Sequence, residues 1–179
     1  MKGLKLILLV LALALPIGIF LFLKIFGKNE FSVEPYYITG VSVPDGCPLP
    51  AARAYAIPER ILNRLSWSEK DSLTLFLIAL KEDGKANLER IQDRFLDHEL
   101  RKVWVQIDSN SLDFDPIGKA VFISLDSLKI FKTCFFFLKE PYNLLLVDNK
   151  RRIRGMYVLN NREEIDRLLL EAKIILKKY

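Results

Sequence analysis

The chain has 179 residues, of which 51% are hydrophobic and 27% charged, and its formal net charge is +5. This length is enough for one domain with a hydrophobic core and a small appendage. The charge is too mild to indicate the strongly basic face that nucleic-acid binding requires, so we expect no nucleic-acid partner.

The N-terminal segment predicts a membrane anchor. Residues 6–23 form an uncharged run of 18 residues rich in Leu, Ile and Phe. A helix of that length rises about 27 Å, close to the hydrocarbon thickness of a bilayer. A cleaved signal peptide is the alternative, but its apolar region is shorter, about 7–15 residues, and it ends in a small-residue cleavage site that this sequence lacks. We therefore expect an uncleaved anchor over residues 1–26.

The charges that flank this run are nearly balanced. Lys2 and Lys5 precede it, and Lys24 and Lys28 follow it, so the positive-inside rule gives almost a tie. A single N-terminal span followed by one folded domain most often exports that domain. We therefore expect a single-pass protein of the bacterial inner membrane whose domain faces the periplasm.

Residues 27–58 are rich in proline and predict a linker and lead-in. Five prolines lie in this stretch, together with Gly40 and Gly46. No helix or central strand tolerates that spacing of prolines. We expect an extended arm that joins the anchor to a domain over residues 59–179.

The first half of that domain predicts a βαβ unit. A short amphipathic helix, PERILNRLSW, places Ile61, Leu62 and Leu65 on one face. The apolar run SLTLFLIAL, residues 72–80, predicts a buried strand. A helix, ANLERIQDRFLDHEL, and a second strand, KVWVQID over residues 102–108, come next. Two strands joined by a helix imply parallel pairing.

The second half predicts a strand, a short helix, a hairpin and a final helix. The loop SNSLDFDPIG precedes a candidate third strand, KAVFISL, and a short helix that Asp126 can cap. Apolar strands near 143–148 and 152–158 form the hairpin. The last helix begins at NREE, where Asn161 can cap it and Glu164 can complete a capping box. The order β-α-β, a variable insert, then β-β-α predicts an α/β protein with a thioredoxin-like fold.

No motif of the common catalytic classes appears, whether GxxxxGK, HExxH, GxSxG or GxGxxG. A thioredoxin-like oxidoreductase carries two close cysteines where its first strand meets its helix, because the helix N-terminus lowers the pKa of a thiol there. In this chain the junction reads LIALKEDGKANL and has no cysteine. Disulfide exchange by the usual pair is therefore excluded, and we expect no enzymatic activity and no cofactor.

Two cysteines and one histidine remain as candidate reactive residues. One interpretation of Cys47 and Cys134 is an incidental Cys47 with a Cys134 buried among phenylalanines. A disulfide between them is the alternative if the domain is exported. A copper or zinc site that both cysteines share with His98 is a third alternative, although the count of ligands alone is a weak signal.

Four cations crowd the turn of the predicted hairpin, namely Lys150, Arg151, Arg152 and Arg154. The simpler interpretation is a tight connection whose charges keep the edge of the sheet soluble. The alternative is an anionic contact with a lipid headgroup, an acidic partner or a phosphate. The pattern favours the first interpretation, because such clusters are common on protein surfaces.

The segments LVDNKRRIRGMY and NNREEIDRLLLEAKIIL resemble the closing hairpin and helix of the Sco/SenC family. Members of this family are membrane-anchored, thioredoxin-like copper-delivery proteins that help to assemble cytochrome oxidase. The segments NLERIQDRF and VFISLDSLKIF are similar to its first helix and to a later strand and helix. The N-terminal anchor, KNEFSVEPYY and DGCPLP are similar to members with an uncleaved anchor.

The copper ligands of that family are missing from the matching positions. The family binds copper with a CxxxC pair at the strand–helix junction and a histidine before the closing hairpin. Here the junction has neither cysteine, and the histidine position falls near Glu140 with no histidine close by. The resemblance therefore implies a degenerate, non-catalytic member that binds a partner, with oxidase subunits or a genuine Sco-type protein as candidates. The alternatives are residual thiol or metal chemistry through Cys47, Cys134 and His98, and a structural envelope protein.

Overall fold

The computed structural model of this chain describes residues 2–26, 32–50, 52–78, 84–107 and 118–177. The chain divides into two compact units, Met1–Ser32 and Val33–Tyr179. The first unit contains helix α1, Lys2–Phe26, with Pro16 inside it. A search of the described residues for a helix with the length and hydropathy of a transmembrane span finds none. The anchor over residues 1–26 thus stays a prediction.

The second unit is a mixed α/β domain built on one sheet. Its helices are α2 (Glu59–Arg64), α3 (Lys85–Arg94), α4 (Leu125–Ile130) and α5 (Arg162–Leu176). Its strands are β1 (Leu73–Ile78), β2 (Arg101–Gln106), β3 (Lys119–Phe122), β4 (Leu144–Asp148) and β5 (Ile153–Tyr157).

The five strands lie in the order β3-β2-β1-β4-β5. β2 runs parallel to both β1 and β3, whereas β4 runs antiparallel to both β1 and β5. Helix α3 is therefore the crossover of a βαβ unit, and β4 and β5 form the predicted hairpin. The α/β class is confirmed, and the mixed sheet is compatible with a thioredoxin-like fold.

The sheet separates two hydrophobic clusters. Successive side chains of a strand point to opposite faces, so Phe76 and Ile78 join one cluster, whereas Leu75 and Leu77 join the other. The first cluster includes residues of α2 and α4, and the second includes residues of α3 and α5. All six residues of β1 are buried, which explains the nearly continuous apolar run in its sequence.

The proline-rich lead-in belongs to the folded domain from Val33 onward, whereas the sequence placed the domain boundary at residue 59. The backbone N–H of Tyr36 donates to the carbonyl of Ile153 over 2.8 Å, and that of Ile57 donates to the carbonyl of Arg151 over 2.9 Å. Hydrogen bonds to the hairpin and burial of apolar side chains thus order a segment whose composition predicts an extended arm.

Helix α5 begins as predicted, with one difference. The side-chain oxygen of Asn161 accepts hydrogen bonds from the backbone N–H groups of Glu163 and Glu164, over 2.9 and 3.3 Å. The predicted capping box is not completed. Instead, the carboxylate of Glu164 lies 2.6 Å from Arg167, and the backbone N–H of Asn161 donates to the carbonyl of Val158. The carboxylate of Glu164 therefore pairs with Arg167 and does not accept the hydrogen bond from the backbone N–H of Asn161 that a capping box requires.

Helix α4 begins earlier than predicted and ends in a wider turn. The hydroxyl of Ser124 accepts a hydrogen bond from the backbone N–H of Ser127 over 3.3 Å. Ser124 is therefore the cap, and Asp126, the predicted cap, lies in the first turn. A π-helical turn, Phe131–Phe135, follows directly and carries Cys134. Such turns recur at functional sites.

Candidate functional site

The junction where thioredoxin-like proteins hold their reactive groups is closely packed on its described side. Residues 79–83 lie outside the described residues. Gly84 precedes α3 with a φ of 118°, a conformation that favours glycine. A Cβ atom on Gly84 would lie 2.7 Å from both the side-chain oxygen of Asn160 and Cγ of Leu159. The turn between β5 and α5 therefore fills the space in front of α3.

Hydrogen bonds fix this turn against the start of α3. The side-chain amide of Asn87 donates to the carbonyl of Leu159 over 2.7 Å. The backbone N–H of Leu159 donates to the side-chain oxygen of Asn143 over 2.8 Å. Leu159 itself is buried. The described part of the junction is therefore a packed contact between elements and not an open ligand site.

Cys47 and Cys134 form a disulfide, with their Cα atoms 5.2 Å apart. The interpretation of Cys47 as incidental is therefore wrong, and the disulfide alternative is the one that the structure contains. Zinc and copper bind thiolates, so the paired sulfurs do not supply such ligands alongside His98. His98 itself lies in an exposed turn after α3. Among the described residues, no group of three or more metal-binding side chains comes together.

A second contact beside the disulfide ties the lead-in to the π-helical turn. The hydroxyl of Tyr55 donates to the carbonyl of Phe135 over 2.6 Å. Burial, with a smaller contribution from Tyr37, raises the pKa of Tyr55, so its hydroxyl keeps the proton that it donates. The covalent bond and this hydrogen bond involve neighbouring residues of the turn, Cys134 and Phe135.

A groove of about 340 Å³ borders the disulfide. We call it the lead-in groove, and its lining includes Pro48, Leu49, Pro50, Phe135, Arg60 and Arg151. The two arginines are the charged side chains among its described lining residues. Leu49 is 84% exposed and places an accessible apolar side chain at the groove. The groove therefore combines an apolar lining with positive charge.

A second cavity of about 480 Å³ is bordered by the same two segments. Its lining includes Tyr37 and Pro44 from the lead-in and Thr133 from the π-helical turn. Lys139 contributes a positive charge. The lead-in and the turn that the disulfide joins thus border both cavities.

Two of the hairpin cations bind a buried acid. The side chain of Asp148 accepts hydrogen bonds from the backbone N–H groups of Lys150 and Arg152, each over 3.0 Å. It also accepts from Nε of Arg152 over 2.8 Å and from Nη1 of Arg154 over 3.1 Å. Burial raises the pKa of Asp148, but the hydrogen bonds from both arginines outweigh it and hold the pKa below its usual value.

The four cations therefore form two groups. Arg152 and Arg154 bind Asp148 within the hairpin. Arg151 lies 3.5 Å from the carboxylate of Glu59 and borders the lead-in groove, and Lys150 is exposed. Arg152 and Arg154 are therefore engaged with Asp148 inside the hairpin, which leaves Lys150 and Arg151 as the cations whose side chains are not bound to that acid.

Two features of this region were missed in the sequence. Asp148 opens the turn DNKRRIR, and an acid placed just before several cations is a signal for an internal ion pair. The lead-in groove had a weaker signal, the leucine between two prolines in CPLP. Its walls come from segments that are distant in sequence, so no local pattern defines it.

No protein-family model matches this chain, and no curated protein matches its sequence. The resemblance to the Sco/SenC family therefore rests on the quoted segments alone.

Proposed function

We propose that this chain is a non-catalytic, membrane-anchored protein of the Sco/SenC type that binds a protein partner during cytochrome oxidase assembly. The observation that carries this proposal is the Cys47–Cys134 disulfide. Disulfides persist in oxidising compartments such as the periplasm and are rare in the cytosol. The disulfide favours an exported domain, and the resemblance implies a domain on a membrane anchor, so the two observations agree.

Two further observations favour binding over chemistry. The described start of α3 is packed against Leu159 and Asn160. Both cysteines are paired with each other, which removes the thiolates that residual thiol or metal chemistry would use. What the domain offers instead is an apolar groove with two arginines, a surface suited to a protein partner.

The anchor in this proposal rests on the uncharged run of residues 6–23. Its length matches the hydrocarbon core of a bilayer. With this run in the inner membrane, the disulfide supports a periplasmic location for the domain.

A combined topology and thiol experiment tests the location. We expect protease added to spheroplasts to degrade the domain while a cytoplasmic control stays intact. In the same cells, maleimide–polyethylene glycol should modify the cysteines only after denaturation and reduction. A protease-protected domain with free thiols would contradict export.

The role in assembly is tested in a deletion strain. We expect lower cytochrome oxidase activity in membranes, restored by the full-length chain. Crosslinking in the membrane followed by purification should recover an oxidase subunit or a Sco-type protein. Unchanged oxidase activity would instead favour the structural envelope alternative.

A further inference from the structure

We propose that the lead-in groove binds an extended peptide segment of a partner protein in which aspartate or glutamate side chains alternate with apolar ones. The carboxylates would pair with Arg60 and Arg151, and the apolar side chains would contact the groove lining. This inference rests on the proposed partner-binding function and names the chemistry of the partner segment.

The size and shape of the groove suit a short peptide. Its volume of about 340 Å³ lies at the lower end of the range of ligand sites, about 300–1,000 Å³. That space accommodates a few side chains and is small for a large cofactor. Pro48 and Pro50 have fixed φ angles in one wall, so ordering this wall when a ligand binds costs less conformational entropy.

The disulfide preorganises the groove further. Cys47 directly precedes the wall formed by Pro48 and Leu49, and Cys134 lines the groove together with Phe135 from another segment. The bond between the cysteines joins the two walls covalently. A preformed site loses less conformational entropy on binding than a flexible one.

The charges select the class of ligand. Among the described residues that line the groove, Arg60 and Arg151 are charged and none is acidic. Arg151 has a contact with Glu59 at 3.5 Å, but the two side chains are 38% and 63% exposed. Such exposed pairs are weak, so a carboxylate of the ligand can replace Glu59. Arginine also offers a planar fork that matches a carboxylate.

Leu49 marks the apolar part of the contact. Its exposed fraction of 84% is the highest among the large hydrophobic side chains of the described residues. It lines the groove together with Pro50 and Phe135. An apolar side chain of the ligand would cover Leu49, while a neighbouring carboxylate reaches an arginine.

The experiment uses the purified full-length chain in detergent and an array of labelled heptapeptides. Each peptide is acetylated and amidated, and Asp or Glu alternates in it with Leu, Ile or Phe. Matched peptides carry Asn or Gln at the acidic positions. We expect acidic members to bind with micromolar Kd in fluorescence polarisation. They should bind at least about tenfold more tightly than their amide counterparts, and salt should reduce the difference.

Variants then place the binding at the groove. Arg60→Glu should weaken binding of the acidic peptides by about tenfold or more, and Leu49→Ser should weaken it severalfold. Lys70→Glu and Leu96→Ser are matched controls, because both residues are exposed and neither lines the groove. Both controls should leave Kd unchanged.

Three outcomes would overturn this inference. They are the absence of binding across the array, equal binding of acidic and amide peptides, and equal losses in the groove and control variants. Self-association of the chain that Leu49→Ser abolishes, without peptide binding, would assign the groove to a second copy.

The array also separates this inference from the proposed function. Lack of peptide binding, with oxidase activity still lost in the deletion strain, rejects the groove assignment alone. Specific peptide binding with unchanged oxidase activity rejects the role in assembly alone.

Discussion

Asp148 and Arg154 meet inside the hairpin, where the guanidinium donates to the carboxylate over 3.1 Å and the two side chains are 0% and 8% exposed. The second terminal nitrogen of Arg154, Nη2, donates to the carbonyl of Val33 over 2.5 Å. The pair thus connects the turn of the hairpin to the first residue of the domain. A buried charge that loses its partner is costly, so this contact is a sensitive point of the fold.

Replacing Asp148 with asparagine should lower the free energy of unfolding by about 3 kcal/mol. The change removes the carboxylate charge that pairs with the buried guanidinium of Arg154 and weakens the hydrogen bonds from Arg152. Urea denaturation followed by circular dichroism measures the loss. Asp45→Asn, at an exposed position of the lead-in, should change stability by no more than about 0.5 kcal/mol. Similar values for both variants would contradict the role assigned to Asp148.

The same carboxylate should make stability depend on acid pH. The pKa of Asp148 lies below its usual value in the folded domain, so the unfolded state binds its proton more readily. The contribution of Asp148 is fully present above the unfolded pKa of about 4 and is lost as pH falls through the folded pKa. The stability gap between the natural chain and Asp148→Asn should therefore narrow below about pH 4. A gap that stays constant down to pH 2 would show that Asp148 is not the titrating group.

Removing the disulfide should destabilise the domain substantially. The two cysteines are separated by 87 positions, and the chain-entropy estimate for a loop of that size is about 4.6 kcal/mol, an upper figure that native-state strain reduces. We expect Cys47→Ser combined with Cys134→Ser to lose about 2–4 kcal/mol in urea denaturation. Dithiothreitol should weaken the natural chain by a similar amount and leave the double variant unaffected. Equal stability of the reduced and oxidised chains would contradict this assignment.

Gly84 should be less tolerant of substitution than another glycine with positive φ. Gly84→Ala places a Cβ atom 2.7 Å from Asn160 and Leu159 in a backbone conformation that costs about 1–2 kcal/mol for an alanine. Gly46 has a φ of 81° with no atom within 4 Å of the same Cβ position, so Gly46→Ala measures the conformational cost alone. The larger loss expected for Gly84→Ala combines the clash with a φ farther from the left-handed region than that of Gly46. A difference near zero would mean that the junction is open.

Local patterns in the sequence predicted the framework of the domain well. The apolar run of β1 identified a buried strand, and Asn161 identified the start of α5, because burial and capping act over a few neighbouring residues. Two capping predictions were wrong. Glu164 forms an ion pair with Arg167 instead of completing the capping box, and Ser124 caps α4 in place of Asp126. Several polar side chains compete for the same partner, and only their geometry decides between them.

The candidate site was harder to predict because it depends on contacts between distant segments. Cys47 and Cys134 left three interpretations open, since the distance between two cysteines is not a property of the sequence. The sequence showed the four hairpin cations as a cluster. Only the position of the Asp148 side chain shows that the side chains of Arg152 and Arg154 bind this acid and that those of Lys150 and Arg151 do not. The lead-in was interpreted as an arm because its prolines exclude regular structure, although they do not prevent packing.

The disulfide also determines how the domain can carry a mechanical load. It closes the chain between Cys47 and Cys134 into a ring that contains β1, β2 and β3. A pull along the chain from the side of Val33 would detach the segment up to Cys47 and then pass through the covalent bond to Cys134. The chain between them, a sequence separation of 87, would not extend, which shortens the fully stretched chain by about 290 Å. Under tension, three of the five strands are thereby protected from being pulled out along the chain.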